Sequence, residues 1–186
     1  LAAAAAGPVV PVFVWAPAED GDWPPGAASR WWLHHSLASL AKSLEGRGSS
    51  LVLRCGSSAD ELLAVARETG AHAVYFERCY EPAAVARDAA VERKLAATGL
   101  TTRAFDGALL TNPATVRTKD GRPFRVFTPF WRAAGSTIRV AATTKPSAAI
   151  EPPEKPAGSL ALTALDLLPR IDWAAGFPDR WQPGEA

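Results

Sequence analysis

The chain has 186 residues, with 20 Lys plus Arg against 19 Asp plus Glu and a formal net charge of +1, which removes any electrostatic case for nucleic-acid or membrane-surface binding by the chain as a whole. A hydrophobic fraction of 48% at this length is enough for a buried core, and no apolar run approaches the roughly 18 residues that a membrane span needs. The two cysteines, Cys55 and Cys79, lack metal-ligand spacing and fall at strand ends, so reduced, buried thiols in a soluble intracellular protein are expected.

Leu1 to Ala6 is alanine-rich and stops at Gly7-Pro8, which reads as the last turns of a helix. The sequence contains no methionine, so the chain is expected to be a piece of a longer polypeptide. Val9 to Trp15 is a nearly continuous apolar run, the signature of a strand buried on both faces of a parallel sheet. Pro11 pushes regular pairing to the residues after it. The loop Ala16 to Ala28 carries Glu19, Asp20, Asp22 and a Pro24-Pro25-Gly26 turn. Leu33, Leu37, Leu40 and Leu44 then recur at helical spacing, which predicts the buried stripe of one core helix with one of Trp31 and Trp32 packed inward.

Gly46 and Gly48 end that helix, and Ser50 to Cys55 reads as a second buried strand. Ser57 or Ser58 is placed to cap a helix whose apolar face is Leu62, Leu63, Val65 and Ala66, with Thr69-Gly70 as its stop. The unit repeats as a strand at Ala73 to Phe76, a helix at Pro82 to Ala97 and a strand at Thr101 to Phe105. This alternation predicts right-handed βαβ units. The expected fold class is therefore α/β, a doubly wound, Rossmann-like parallel sheet with helices on both faces. Because the first strand of such a sheet is normally central, and this chain opens on a helix tail, a central strand is expected to be missing from it.

Regularity fades after Asp106. Asn112-Pro113 and Lys119-Asp120-Gly121 mark turns around an irregular hairpin at Ala114 to Phe127, and Thr128-Pro129-Phe130-Trp131 reads as a capped helix start. The prolines between Ala141 and Gly158 have linker composition. Residues 1–135 are expected to form the α/β domain and 136–186 an interdomain linker, whose Leu162, Leu165, Leu167, Leu168, Ile171, Trp173 and Phe177 need a partner surface.

Several chemistries are unsupported. No Gly-rich phosphate loop joins a strand to a helix, and no nucleophile-elbow motif is present. His34 and His35 are adjacent on a helix and diverge by about 100°, with no thiolate or carboxylate to complete a metal set. What remains is the rim beyond the C-terminal strand ends, where open α/β sheets bind ligands. There Trp15, Tyr80, Glu81 and Asp106 are joined by Trp23 and Arg30 from the loop before the core helix. Aromatic faces with carboxylates and an arginine suit a flat, polar heteroaromatic ring, and packing is the competing account of the tryptophans.

The Pro25-Gly26 turn before Ser29-Arg30-Trp31-Trp32-Leu33 and Ser36-Leu37, the segment Tyr80-Glu81-Pro82 with Arg87-Asp88, and Phe124 through Trp131 resemble the N-terminal α/β domain of the DNA photolyase and cryptochrome family. Leu168-Pro169 through Trp173 and Trp181 through Ala186 resemble the segment that leads into the family's helical flavin domain. The resemblance implies a light-driven DNA photolyase that repairs cyclobutane pyrimidine dimers, with FAD and damaged-DNA binding in a C-terminal helical domain outside this chain. It implies that this domain holds an antenna chromophore, methenyltetrahydrofolate or a deazaflavin or flavin, with Glu81 matching the family's carboxylate-bearing segment, and that the fragment itself is not catalytic; the rim residues Trp15, Trp23, Arg30, Tyr80, Glu81 and Asp106 are the expected site. The alternatives are the equivalent domain of a cryptochrome photoreceptor and a structural α/β module without an antenna. Two departures bear on the antenna: an Asn-Glu pair found in one folate-binding type is replaced by Ala83 and Ala84, and a histidine that type uses in the loop before the core helix is replaced near Trp23.

Overall fold

The computed structural model describes residues 7–107, 109–138, 149–177 and 180–184. Four short parallel strands alternate with helices: β1 (Val12–Trp15), α1 (Ala27–Glu45), β2 (Val52–Cys55), α2 (Ser58–Thr69), β3 (Ala73–Glu77), α3 (Pro82–Ala96) and β4 (Thr101–Phe105). A fourth helix, α4 (Phe127–Gly135), follows, and single 3₁₀ turns lie at Pro17–Glu19 and Leu162–Leu165. Pro11 sits just before β1, where its missing N–H costs no ladder bond. The helix tail expected at Leu1 to Ala6 lies outside the described residues.

The strands form two pairs. β1 lies parallel to β2 with Val12 opposite Val52, and β3 lies parallel to β4 with Ala73 opposite Thr101. Helix packing gives their order. α2 connects β2 to β3, yet it packs against β1 and along α3. A right-handed crossover that passes over β1 puts β3 on the far side of β1 from β2. That handedness implies the order β2, β1, β3, β4, with the two pairs standing as separate two-stranded sheets among the described residues. This is the doubly wound α/β architecture that the alternation predicts, built from short parallel pairs.

Two apolar clusters fill it. Leu37 of α1, Leu53 of β2, Leu165 and Leu167 form the first, with Phe13, Trp15 and Leu33 packed on it. Ala59 and Leu63 of α2 with Val91 and Leu95 of α3 form the second, joined by Val74. Leu165 and Leu167 thus find their surface within the chain itself.

Local sequence rules fail at four places. Leu40 is 45% exposed, because the α1 stripe is covered only where β1, β2 and the returning Leu165–Leu167 segment reach it. Cys55 is exposed and Cys79 half-buried, both free thiols beyond the covered part of their strands. No serine side chain caps α2; instead the Glu19 carboxylate accepts hydrogen bonds from the Ser58 N–H (3.0 Å) and hydroxyl (2.5 Å). α4 begins at Phe127 with no side-chain cap, so Thr128 lies inside the helix. The irregular hairpin is a single antiparallel bridge, Arg117 to Pro123.

Candidate ligand-binding rim

β3 and β4 end side by side at Glu77 and Phe105, and the Arg78 N–H donates to the Phe105 carbonyl to close the ladder (2.9 Å). The chain leaves both strands in the same direction, which brings the residues after them together. Asp106 is the centre. Its Oδ1 accepts from Arg78 Nε (2.9 Å) and from the Tyr80 hydroxyl (2.8 Å), and its Oδ2 accepts from Asn112 Nδ2 (3.2 Å). Asn112 is fixed in turn by the Ala114 N–H, which donates to its Oδ1 (2.9 Å). Gly107 lies beside this network, where an added Cβ would meet the Glu77 carboxylate, the end of an exposed side chain that would have to swing aside.

The electrostatics follow from those bonds. The Tyr80 hydroxyl, the Asn112 amide and the Arg78 guanidinium together hold the Asp106 carboxyl below the usual carboxylate range against partial desolvation. Partial desolvation, then the bond to Asp106, pushes the Tyr80 phenol above its ordinary value. Glu81 occupies the N-cap position of α3, with Pro82 opening the helix. Its Oε2 accepts the Tyr80 N–H (3.2 Å), and its other oxygen has no hydrogen bond among the described residues. That oxygen can accept from a ligand.

The remaining expected residues are distributed. Trp15 is half-buried against the first apolar cluster. Trp23 is 91% exposed in the loop before α1. Arg30 and His34 stand one turn apart on α1, and Arg30 Nε and His34 Nδ1 are both buried without a hydrogen-bond partner among the described residues. Burial, then the neighbouring His35, lowers the His34 pKa. The structure therefore brings Tyr80, Glu81 and Asp106 into one network; the loop after β1 approaches the start of α3, where a Cβ on Gly21 would lie 3.2 Å from that of Ala83, and among the described residues Trp15, Trp23 and Arg30 make no hydrogen bond to the network.

Sequence reasoning missed two features. Asn112 reads as a turn marker, and only the fold shows that it closes the Asp106 network. The second is a cavity of about 220 Å³ between α1 and residues 168–174, lined by Trp31, His35, Arg170 and Asp172. Trp31 lines it with its ring tilted against His35 (4.3 Å between ring centroids) and edge-on to Phe177 (5.3 Å). The paired aromatic and basic residues of the core helix were the available signal. Among the described residues, no cluster of metal-ligating side chains occurs and no helix is long and apolar enough to cross a membrane.

The described family model "DNA photolyase" matches residues 1–154. The chain is 43% identical over 180 residues to the deoxyribodipyrimidine photo-lyase of Agrobacterium fabrum, covering 96% of this chain and 37% of that protein. It is 44% identical over 131 residues to cryptochrome-1 of Arabidopsis thaliana, covering 70% of this chain and 19% of that protein. Its fold superimposes on a class III photolyase of Agrobacterium tumefaciens with a TM-score of 0.85 and 42% identity, over 96% of this chain and 36% of the other. The chain thus spans little more than a third of the photolyases it matches. With the family pattern running across both strand pairs, the Asp106 network and α4, this chain belongs to the DNA photolyase family.

Proposed function

We propose that the chain is the antenna-chromophore-binding domain of a light-driven photolyase acting on cyclobutane pyrimidine dimers, and is itself not catalytic. The observation that carries this reading is the 43% identity over 96% of the chain to a protein named deoxyribodipyrimidine photo-lyase. In this reading residues 1–135 hold the antenna. Residues 136–186 lead toward a C-terminal helical domain that binds FAD and contacts the damaged DNA.

An antenna, methenyltetrahydrofolate or a deazaflavin or flavin, absorbs near-ultraviolet or blue light and passes the excitation to FAD. The donors at the rim fit a planar ring with an amide-and-amine edge, but not all in the same role. Both Asp106 oxygens already accept hydrogen bonds, so Asp106 and Tyr80 shape the wall. Glu81 keeps an oxygen for the N–H edge of the ring, as a carboxylate suits such an edge. Trp23 offers an exposed face for stacking and Arg30 a positive charge for a ligand carboxylate or phosphate, while Trp15 packs on the first apolar cluster at the end of β1.

The full-length protein purified with its chromophores should show an absorption band beyond that of the flavin. Glu81→Gln should weaken antenna retention by roughly 10-fold or more, as expected for a lost charge-assisted bond. A spectrum containing flavin alone would overturn the reading. The identity of 44% to Arabidopsis cryptochrome-1 favours a second reading, the same domain in a blue-light photoreceptor. Illumination on dimer-containing DNA separates the two: repair supports the photolyase, and photoreduction without repair supports the photoreceptor.

A further inference from the structure

α4 carries Phe127, Phe130, Trp131 and Ala134 at i, i+3, i+4 and i+7, the spacing of a single apolar face. The fold covers only half of that face. Ala134 is fully buried, and the half-buried Phe130 meets Phe124 edge-on (6.2 Å between ring centroids). Phe127 is 70% exposed and Trp131 48% exposed. The two open rings lie nearly parallel, with 14° between their planes and 6.1 Å between centroids, so they form one stacked aromatic surface rather than two scattered side chains.

The charge around that surface is one-sided. The chain as a whole is nearly neutral, yet the turn before α4 and the helix itself expose Lys119, Arg122, Arg125 and Arg132, with Asp120 the one carboxylate between Ala114 and Gly135. Asp120 lies 3.5 Å from Arg122, and among the described residues Lys119, Arg125 and Arg132 have no ion pair. The turn that displays them is held by its own bonds: the Thr118 N–H donates to the Arg122 carbonyl (2.8 Å), the Gly121 N–H to the Thr118 carbonyl (2.9 Å) and the Arg122 N–H to Thr118 Oγ1 (3.1 Å). A purely apolar partner on Phe127 and Trp131 would strip water from cations that it could not pair. Stacked rings bordered by unopposed cations instead match a polymer that alternates flat rings with phosphates.

We propose that α4 and the turn before it form a binding surface for single-stranded nucleic acid, in which Phe127 and Trp131 stack on bases and Lys119, Arg122, Arg125 and Arg132 contact phosphates. The strand is single because a duplex hides its ring faces within its own stack. Contacts to ring faces and phosphates carry no sequence information, so the surface takes any base order. It lies on this chain and needs neither antenna nor flavin.

Fluorescence anisotropy in the dark tests this on the chain as it stands, with a fluorescein-labelled, undamaged oligothymidylate of about 12 nucleotides as the probe. Four phosphate contacts, each contributing about −0.7 to the salt slope, predict a loss of affinity of about 50-fold between ~50 and ~200 mM NaCl. Arg125→Ser combined with Arg132→Ser should reduce that loss to about 7-fold. Trp131→Leu should weaken binding by about 10-fold at either salt concentration and leave the slope unchanged. Arg47→Ser, at an exposed cation after α1, should alter neither quantity. An abasic oligomer of the same length should bind the parent chain no better than the thymidylate binds Trp131→Leu. Circular dichroism checks that each variant is folded, and Phe127→Leu takes the place of Trp131→Leu if that variant is not. No binding at the lower salt, or the parent salt slope in the double arginine variant, would overturn the proposal. A duplex that binds as tightly as the single strand would also overturn it, and so would a polyglutamate peptide, in favour of an acidic protein partner. Where the chain alone does not stay folded, the longer protein on the same probe in the dark gives the same comparison between variants.

Discussion

Asp106 gathers three donors from two segments, Arg78 and Tyr80 after β3 and Asn112 after β4, so its ionisation reports on how the rim is assembled. Its carboxyl titrates lower in the fold than in the unfolded chain, so the stability it contributes is present above the ordinary carboxylate range and is lost as pH falls through the folded value. The group is exposed, and that contribution is small. Asp106→Asn should leave the fold intact, bring the Tyr80 phenol down toward its ordinary range and loosen Arg78; an NMR titration of Tyr80 checks it, and an unmoved phenol would remove Asp106 as its partner. Tyr80, Glu81 and Asp106 were legible because strand ends locate a rim in any parallel sheet. Asn112 was not, because a residue in a turn carries no signal of the carboxylate it will meet six residues away in sequence.

At the scale of elements, periodicity and stop signals locate the α-helices and strands up to Phe105 to within two residues, except β1, which begins three residues after the start of its apolar run, because most are bounded by Gly, Pro or Ser. Capping was less legible. A local rule assigns the start of α2 to Ser57 or Ser58, but the capping group is the carboxylate of Glu19, 39 residues earlier. The same contact ties the 3₁₀ turn after β1 to the helix that packs over β1. Glu19→Ala removes both bonds and a negative charge at a helix N-terminus, and should lower stability by about 0.5–2 kcal/mol in urea titration. Ser58→Ala removes only the hydroxyl bond and should cost less. Equal losses in the two variants would mean that the backbone bond contributes nothing.

Across the whole molecule, what the sequence could not reveal is which distant segments share a core. Linker composition between Ala141 and Gly158 makes the segments on its two sides read as independent. Leu165 is nevertheless 3% exposed and Leu167 2% exposed, packed with Leu37 and Leu53 against Phe13 and Trp15. Backbone bonds follow the same path: Leu160 N–H donates to the Leu53 carbonyl (2.9 Å), and Leu53 N–H donates to the Ser159 hydroxyl (2.9 Å). The segment is therefore fastened along β2 before its leucines enter the core. Leu167→Ala should destabilise the fold by about 2–5 kcal/mol, the range for a fully buried leucine, whereas the exposed Leu168→Ala should stay within about 0.5 kcal/mol. Urea midpoints for the two variants decide the matter, because a detachable linker would make the adjacent substitutions equally neutral.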